Sequence, residues 1–200
     1  MKTGPKYKIA RRLGAPIFEK TQTAKFEKSK ERRQKSFGKA KSAFGTQMNE
    51  KQKARLTYGV SERQFKNYVK GILESKYTNQ NDKLFEVLES RLDNAVMRAG
   101  FAATRRHARQ VVSHGHIVVN GTKTTIPSYK LRVGDVFKPR GGSLTGKLFA
   151  NIDEKIKDVT APNWLDLDKK TKEVKVVGAP KTDPRELMFD ISAIFEYYKR

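Results

Sequence analysis

The apolar positions of residues 61–73 repeat with the period of an α-helix. They fall three or four residues apart along one face, and this spacing predicts an amphipathic helix. Ser61 and Gln64 stand at its start in the spacing of a capping box. The preceding stretch, residues 49–58, is also rich in helix-forming residues and is closed by Gly59, which favours a left-handed stop. The sequence therefore predicts successive helices in this region.

The pattern changes from helix to strand between residues 90 and 150. Ser90 and Thr104 are the predicted caps of two successive helices. A strand is predicted over residues 116–119, of which the last three are apolar and β-branched, and Asn120-Gly121 is the sequence of a two-residue hairpin turn. Further short strands are expected over 122–126, 129–133, 136–138, 164–168 and 174–177, and a last helix over 191–198.

Residues 1–45 are rich in lysine, and their apolar residues show no clear period. Gly4-Pro5 and Ala15-Pro16 interrupt any helix there, so we expect an extended basic arm that becomes ordered when it meets its partner. The predicted fold class is α+β. The predicted organisation is the arm at 1–45, a small helical domain at 46–89 and 180–200, and a mixed α/β module at 90–179 whose core is about 90–150.

The charge of the chain indicates a polyanionic partner. Its 200 residues include 43 Lys and Arg against 21 Asp and Glu, a formal net charge of +22. Residues 1–60 account for +13 and residues 91–150 for +9, and the latter block contains only two acidic residues. Nucleic acid or an anionic membrane surface would match such a field.

Several classes of protein are excluded by composition. No apolar run exceeds three residues, whereas a membrane span needs about 20 and a secretory signal about 7–15. The chain has no cysteine, which excludes disulfides, thiolate zinc sites and cysteine catalysis. We therefore expect a cytoplasmic protein.

The predicted helix at 105–112 presents its arginines along one face. At about 100° per residue, Arg105, Arg106 and Arg109 share an arc, and Ala108, Val111 and Val112 occupy the arc beside it. Arg91 and Arg98 line one edge of the preceding helix in the same way. Guanidinium groups bind phosphate oxygens in pairs and stack on bases, which favours structured RNA. The alternative is a solvated basic face without a partner.

These residues also carry a resemblance to a known family. The stretches RLDN at 91–94, TRRHARQVVSHG at 104–115, VNG at 119–121 and IPSY at 126–129 resemble the RNA-binding module of the bacterial ribosomal protein S-four family. Several RNA-modifying enzymes share that module. Stretches outside it resemble the ribosomal family alone, namely residues 3–6, 11–14, 50–65, 162–165 and 195–198. Residues 19–42 depart from the family, because they contain neither its cysteine-ligated zinc site nor its Pro-Gly-Gln-His-Gly segment.

The resemblance implies a structural protein of the small ribosomal subunit, without enzymatic activity or cofactor. Its implied partners are small-subunit rRNA, mRNA at the channel entrance and a neighbouring ribosomal protein, S-five; it would act early in assembly of the subunit body and influence decoding accuracy. No membrane and no small-molecule substrate is expected. The predicted rRNA contacts are Lys8, Arg11, Arg12, Arg55, Tyr58, Arg63, Lys66, Arg91, Arg98, Arg105, Arg106, Arg109, His114, His116, Lys130 and Arg132.

Three lysines of the arm have a separate predicted role. Lys35, Lys39 and Lys41 precede a Ser-Ala-Phe-Gly sequence at 42–45, where the family's messenger-entrance residues precede a similar motif. The resemblance therefore implies that they line the mRNA entrance. The alternative is that they only neutralise neighbouring rRNA.

The sequence offers little support for metal binding or catalysis. The three histidines, His107, His114 and His116, lack the further ligands that a closed metal site needs, so no metal is expected. Asp93 stands in an Arg-Leu-Asp sequence like that of pseudouridine synthases, but its place in the first turn of a helix suits the helix dipole. The alternative function is an RNA-modifying enzyme, or a free RNA-binding factor, that shares the module.

Overall fold

The chain folds as two compact units. A computed structural model describes residues 3–27, 42–75, 77–157, 159–181 and 187–199. The first unit comprises residues 1–84 with 183–200, and the second comprises residues 85–182. The sequence predicts domain boundaries after residues 89 and 179 instead, with residues 1–45 as an arm separate from the helical domain.

The N-terminal segment is folded over residues 3–27, which corrects the prediction of an extended arm there. Helix α1, Lys6–Leu13, begins after Pro5 and ends before Gly14. The Gly4-Pro5 and Ala15-Pro16 pairs therefore flank a helix and do not prevent one. Gly14 adopts φ 73° and donates from its N–H to the carbonyl of Ala10 at 2.9 Å. The scattered apolar residues form a small core, namely Ala10, Leu13, Ala15, Ile17, Phe18, Phe26 and Leu56.

Within the described residues, longer helices follow in the first unit and at its boundary. They are α2, Ala43–Thr57; α3, Glu62–Glu74; α4, Gln80–Glu89; and α9, Ile191–Lys199. The predicted cap of α3 is confirmed, since Ser61 Oγ accepts from the Gln64 N–H at 3.3 Å.

Helix α2 begins six residues before its predicted start at Asn49 because tertiary contacts extend it. Ser42 Oγ caps it by accepting from the Gly45 N–H at 3.2 Å. Phe44 stacks on Tyr197 of α9 with ring centroids 5.4 Å apart, and the Gln47 amide donates to Glu196 at 2.8 Å. These partners lie about 150 residues away in sequence, beyond the reach of local periodicity.

The second unit is a helical pair followed by one antiparallel sheet. The helices are α5, Leu92–Arg98, and α6, Arg105–Ser113, and the strands are β1, Ile117–Val119; β2, Thr122–Thr124; β3, Val136–Pro139; β4, Leu165–Asp168; and β5, Glu173–Val176. The sheet order is β2-β1-β3-β5-β4. Short helices α7, Gly141–Leu144, and α8, Ile152–Lys157, lie between β3 and β4 and were not predicted.

The hairpin between β1 and β2 confirms the predicted Asn-Gly turn. Asn120 has φ 48° and Gly121 has φ 79°, as a turn with two left-handed residues requires. The α+β fold class is confirmed as well.

The predicted strand at 129–133 is wrong. The backbone there caps helix α5 instead: the carbonyls of Pro127 and Tyr129 accept from the N–H groups of Asp93 and Leu92 at 3.0 and 2.9 Å. Only an isolated bridge joins Lys130 to Arg91. The cap of α5 also differs from prediction, because Arg91 rather than Ser90 is the N-cap residue.

The core of the second unit lies between helix α6 and the sheet. Ala108, Val111 and Val112 of α6 are buried, as are Ile117 and Val174 of the strands. This packing confirms the predicted apolar face of α6. Its opposite face is therefore directed away from the core.

The burial of Val174, which pairs with residues of both β3 and β4, predicts a large cost of truncation. We expect Val174→Ala to lower the free energy of unfolding by about 2 kcal/mol, since it removes two methyl groups from a packed site and leaves a cavity. Val177→Ala is the matched control: Val174 is 0% exposed and Val177 is 48% exposed. Urea denaturation of the two variants measures the difference, and equal losses would contradict the packing described here.

Candidate nucleic-acid interface

Two buried carboxylates lie within this basic unit. Glu89 ends helix α4 and Asp93 lies in the first turn of α5; their exposures are 1% and 2%. Burying a charge without a partner is costly, and both carboxylates are surrounded by arginines. This pairing determines how helices α5 and α6 present their positive charge.

Asp93 holds two arginines from different elements. Its Oδ1 accepts from Arg91 Nε at 3.0 Å, and its Oδ2 accepts from Arg91 Nη2 at 2.7 Å. The same Oδ2 accepts from Nε and Nη2 of Arg109 on helix α6, at 3.0 and 2.6 Å. Arg91 is 2% exposed, whereas the Arg109 side chain keeps 30% of its surface in solvent. Asp93 thus joins an internal arginine to one at the surface.

Glu89 contacts two further arginines and the buried side-chain amide of Asn94. Its two carboxylate oxygens accept from Arg98 of helix α5 at 3.0 and 3.1 Å. The Asn94 amide donates to Glu89 Oε2 at 2.8 Å, and Asn94 Oδ1 in turn accepts from Arg105 Nε at 2.7 Å. Arg105 Nη2 lies 4.0 Å from Glu89 Oε1. We call Glu89, Asp93, Asn94 and the four arginines the arginine network.

The network changes the meaning of the predicted arginine face. Arg105 and Arg109 share a face with Arg106, as predicted, but each of the two is anchored through the network. Arg106 is exposed, and the described residues contain no ion pair to it. The sequence does not reveal these acidic partners, because Glu89 lies just outside the basic block and the helix dipole already explains an acidic residue at Asp93.

The predicted rRNA contacts that the structure describes fall into three groups by solvent exposure. Arg55, Arg98, Arg105, Arg109 and His116 are partly exposed. Arg91 and Tyr58 are buried. The exposed residues are Lys8, Arg11, Arg12, Arg63 and Lys66 in the first unit and Arg106, His114, Lys130 and Arg132 in the second.

Tyr58 belongs to the core rather than the surface. Its ring lies edge-on to Phe189 with centroids 6.3 Å apart. Arg55 of the same helix bonds Gln52 Oε1 at 2.8 Å and lies 3.2 Å from Glu62. Burial removes Tyr58 and Arg91 from the set of surface residues.

The three predicted messenger-entrance residues, Lys35, Lys39 and Lys41, lie outside the described residues.

Lys123 and Arg140 are two further basic residues near His116 that the sequence analysis does not identify as candidates. The Arg140 N–H donates to the His116 carbonyl at 2.8 Å, which places Arg140 at the start of β1. The position of Lys123 beside β1 follows from the hairpin register, since Lys123 pairs with Val118. The Asn-Gly turn alone fixes that register, so the sequence contained the signal for Lys123. Arg140 depends on the pairing of β1 with β3, which no local pattern gives.

The electrostatic environment of His116 is positive. Burial, and then the charges of His114, Arg140 and Lys123, hold the pKa of His116 below its ordinary value of 6.5. Its Nδ1 lies 2.9 Å from Ser143 Oγ. Within the described ranges, no group of three His, Cys, Asp or Glu side chains could hold a metal ion. No helix among them is long and apolar enough to cross a membrane.

Comparison with known proteins covers the chain in order. Residues 1–89 match the family model for the ribosomal protein S4/S9 N-terminal domain, and residues 90–137 match the S4 domain. A small ribosomal subunit protein uS4 from Borreliella burgdorferi (strain ZS7) is 38% identical over 200 residues, 98% of this chain and 96% of the relative.

Other bacterial relatives agree. The protein of the same name from Herpetosiphon aurantiacus is 38% identical, covering 99% of this chain and 98% of its own length. That from Dehalococcoides mccartyi (strain CBDB1) is 40% identical over 156 residues, 78% of this chain and 75% of the relative. Both family models and near-complete alignments at this identity lead to one conclusion: the chain belongs to the uS4 family of small ribosomal subunit proteins.

Proposed function

We propose that this chain is a structural constituent of the small ribosomal subunit that binds small-subunit rRNA directly. It acts in the cytoplasm, within the ribosome, and is not an enzyme. The observation that carries the proposal is the arginine network, which holds guanidinium groups at the surface of helices α5 and α6 beside the exposed Arg106.

The network suits RNA because it fixes flexible side chains in advance. An arginine loses much of its rotamer freedom when it binds, and that loss weakens association. Arg98 and Arg109 are already held by carboxylates at 2.6–3.1 Å, so much of this cost is met on folding. Each keeps about a third or less of its side chain in solvent, where a phosphate oxygen can reach it.

The alternative function is an RNA-modifying enzyme or a free RNA-binding factor with the same module. Such proteins share the S4 domain, which here matches residues 90–137. Residues 1–89 match a ribosomal N-terminal domain instead, and the relatives that align along nearly the whole chain are named as ribosomal proteins. This breadth favours the ribosomal role.

The proposed rRNA contacts are those with solvent-exposed charge. They exclude the buried Tyr58 and Arg91 and add the two missed cations. The set is Lys8, Arg11, Arg12, Arg63, Lys66, Arg98, Arg105, Arg106, Arg109, His114, His116, Lys123, Lys130, Arg132 and Arg140, with Arg55 at the partly exposed margin of helix α2.

Finer roles are proposed from the family resemblance. The chain would bind early, nucleate assembly of the subunit body, line the mRNA entrance and contact ribosomal protein S-five, through which it would influence decoding accuracy.

Arg106 tests direct phosphate contact. We expect Arg106→Ala to weaken binding of the full chain to small-subunit rRNA about tenfold, because a charge-assisted hydrogen bond is lost. The slope of log affinity against log salt should also shrink by about 0.7–0.9, the value for one phosphate. Lys170→Ala, which removes an exposed cation from a neutral segment, should leave both quantities unchanged. Filter binding at several salt concentrations measures them.

An unchanged slope in Arg106→Ala would refute the contact. Cell fractionation provides an independent check of the function, since the chain should co-sediment with small subunits. A chain found only in the soluble fraction would contradict the ribosomal role.

Asp93 tests whether the network positions arginines. We expect Asp93→Asn to lower the free energy of unfolding by about 3 kcal/mol, because it leaves the buried Arg91 without its charge partner. Asp166→Asn removes an exposed carboxylate from the same unit and should stay within about 0.5 kcal/mol of wild type.

RNA affinity separates positioning from simple charge. Removing a negative charge strengthens binding to a polyanion if charge alone matters. We expect Asp93→Asn to bind more weakly than Asp166→Asn at a temperature where both are folded, since Arg109 loses its fixed pose. Tighter binding by Asp93→Asn would show that the carboxylate only opposes RNA.

The three arm lysines test the messenger role. Ribosomes with Ala at positions 35, 39 and 41 should assemble normally but slow at a hairpin placed at the mRNA entrance, because lysines track a phosphate backbone without reading bases. Toe-printing on a hairpin-containing message measures transit. Failed assembly would instead favour the rRNA-neutralising alternative, and unaffected transit would also count against the entrance role.

A further inference from the structure

Four basic side chains meet at the corner where helix α6 passes into strand β1. His114 ends the helix, His116 precedes the strand, Lys123 lies on β2 and Arg140 follows β3. We call these four residues the corner cluster. It is separate from the arginine network, because none of its members bonds Glu89 or Asp93 among the described residues.

The backbone fixes the cluster from three directions. Arg140 donates its N–H to the His116 carbonyl at 2.8 Å. The β1–β2 register pairs Lys123 with Val118, two residues beyond His116. The imidazole rings of His114 and His116 lie with centroids 6.0 Å apart. The four side chains therefore converge through secondary structure rather than through a flexible loop.

Gly115 makes room for the lysine. It adopts φ 72°, a left-handed conformation that favours glycine. A Cβ at this position would collide with Cε of Lys123 and lie 3.2 Å from its Nζ. The lysine side chain therefore lies against the bare backbone between the two histidines, and its ammonium group joins the cluster.

The cluster is not neutralised within the described parts of the chain. There, no carboxylate forms an ion pair with Lys123, Arg140, His114 or His116. The arginine network differs, because buried carboxylates face its arginines. A concentration of like charge without a counter-charge is destabilising in isolation and favours an external anion.

His116 connects this charge to protonation. The charged or titratable groups that face it are His114 from α6, Lys123 from β2 and Arg140 after β3, and all are basic. Ser143 of α7 occupies its Nδ1 at 2.9 Å, which leaves Nε2 for a ligand. Burial and these neighbours lower the pKa of His116, which favours the neutral imidazole in the free protein.

We propose that the corner cluster binds one backbone phosphate of rRNA and takes up a proton from solvent at His116 as it does so. This inference rests on the proposed function. The phosphate supplies the negative charge that the three neighbours lack, so the protonated imidazole becomes favourable in the complex. The imidazolium then donates from Nε2 to a phosphate oxygen, beside the ammonium and guanidinium groups of Lys123 and Arg140.

The sign of the pH dependence follows from linkage. A group that gains a proton on binding increases affinity as pH falls, by up to about tenfold per pH unit for each proton. For the free protein we expect stability, in contrast to affinity, to decrease as pH falls. The folded-state pKa of His116 lies below its unfolded value near 6.5, so its contribution to stability is present above that pH and is lost as pH decreases.

The experiment is rRNA binding by the full chain between about pH 8 and about pH 5.5, the range in which histidine titrates. Wild-type affinity should rise as pH falls. The double variant His114→Asn, His116→Asn should lose most of that rise, because its amides are neutral throughout. His107→Asn is the matched control: it removes the chain's only other histidine and should keep the full pH dependence.

Proton uptake can also be observed directly. In the titration of the His116 ring protons by NMR, adding rRNA should raise the pKa of His116 above its value in the free protein. An equal concentration of inorganic phosphate should not. If inorganic phosphate has the same effect as rRNA, the cluster is a site for free phosphate and the assignment to RNA is overturned.

The outcomes separate this inference from the proposed function. Absence of rRNA binding at every pH would overturn both. Tight binding that does not vary with pH, or a pH dependence that survives in the double histidine variant, would overturn only the proton-linked site. A dependence lost in His107→Asn instead would place the proton elsewhere.

Discussion

Two carboxylates beneath a basic surface determine how this protein presents its charge. A guanidinium group at the boundary between core and solvent needs a partner before any ligand arrives, because its desolvated face otherwise costs several kcal/mol. Glu89 and Asp93 supply that partner from below. The strongly positive unit is therefore assembled around negative charge. Asp93 bonds the buried Arg91 and, with the same carboxylate, holds Arg109 at the surface.

Such a design separates two kinds of basic site. The arginine network is compensated and geometrically fixed, so it suits recognition of a defined RNA shape. The corner cluster is uncompensated and contains a titratable imidazole, so its charge depends on conditions. In the proposed complex, the arginine network would bind RNA in a fixed geometry, and the corner cluster would bind it with an affinity that depends on pH.

Local sequence predicted the elements whose causes are local. The Thr104 cap, the apolar face of α6 and the Asn120-Gly121 hairpin appear as expected, because each depends on neighbours within a few residues. The early start of α2 depends on Tyr197 and Glu196, and the N-terminal core depends on Leu56. The anchoring of Arg105 and Arg109 escaped prediction for the same reason, since charge counts along the chain do not reveal which buried carboxylate faces which helix.

The capping of helix α5 by residues 127 and 129 has a mechanical consequence. Leu92 and Asp93 donate to that segment, and Leu131 donates back to the Ser90 carbonyl at 2.9 Å. The segment therefore cannot detach without exposing the first turn of α5, in which Asp93 lies. Local opening there releases the loop, the helix start and the anchor of Arg109 as one cooperative event. The rigidity of the arginine network therefore depends on the attachment of this short loop.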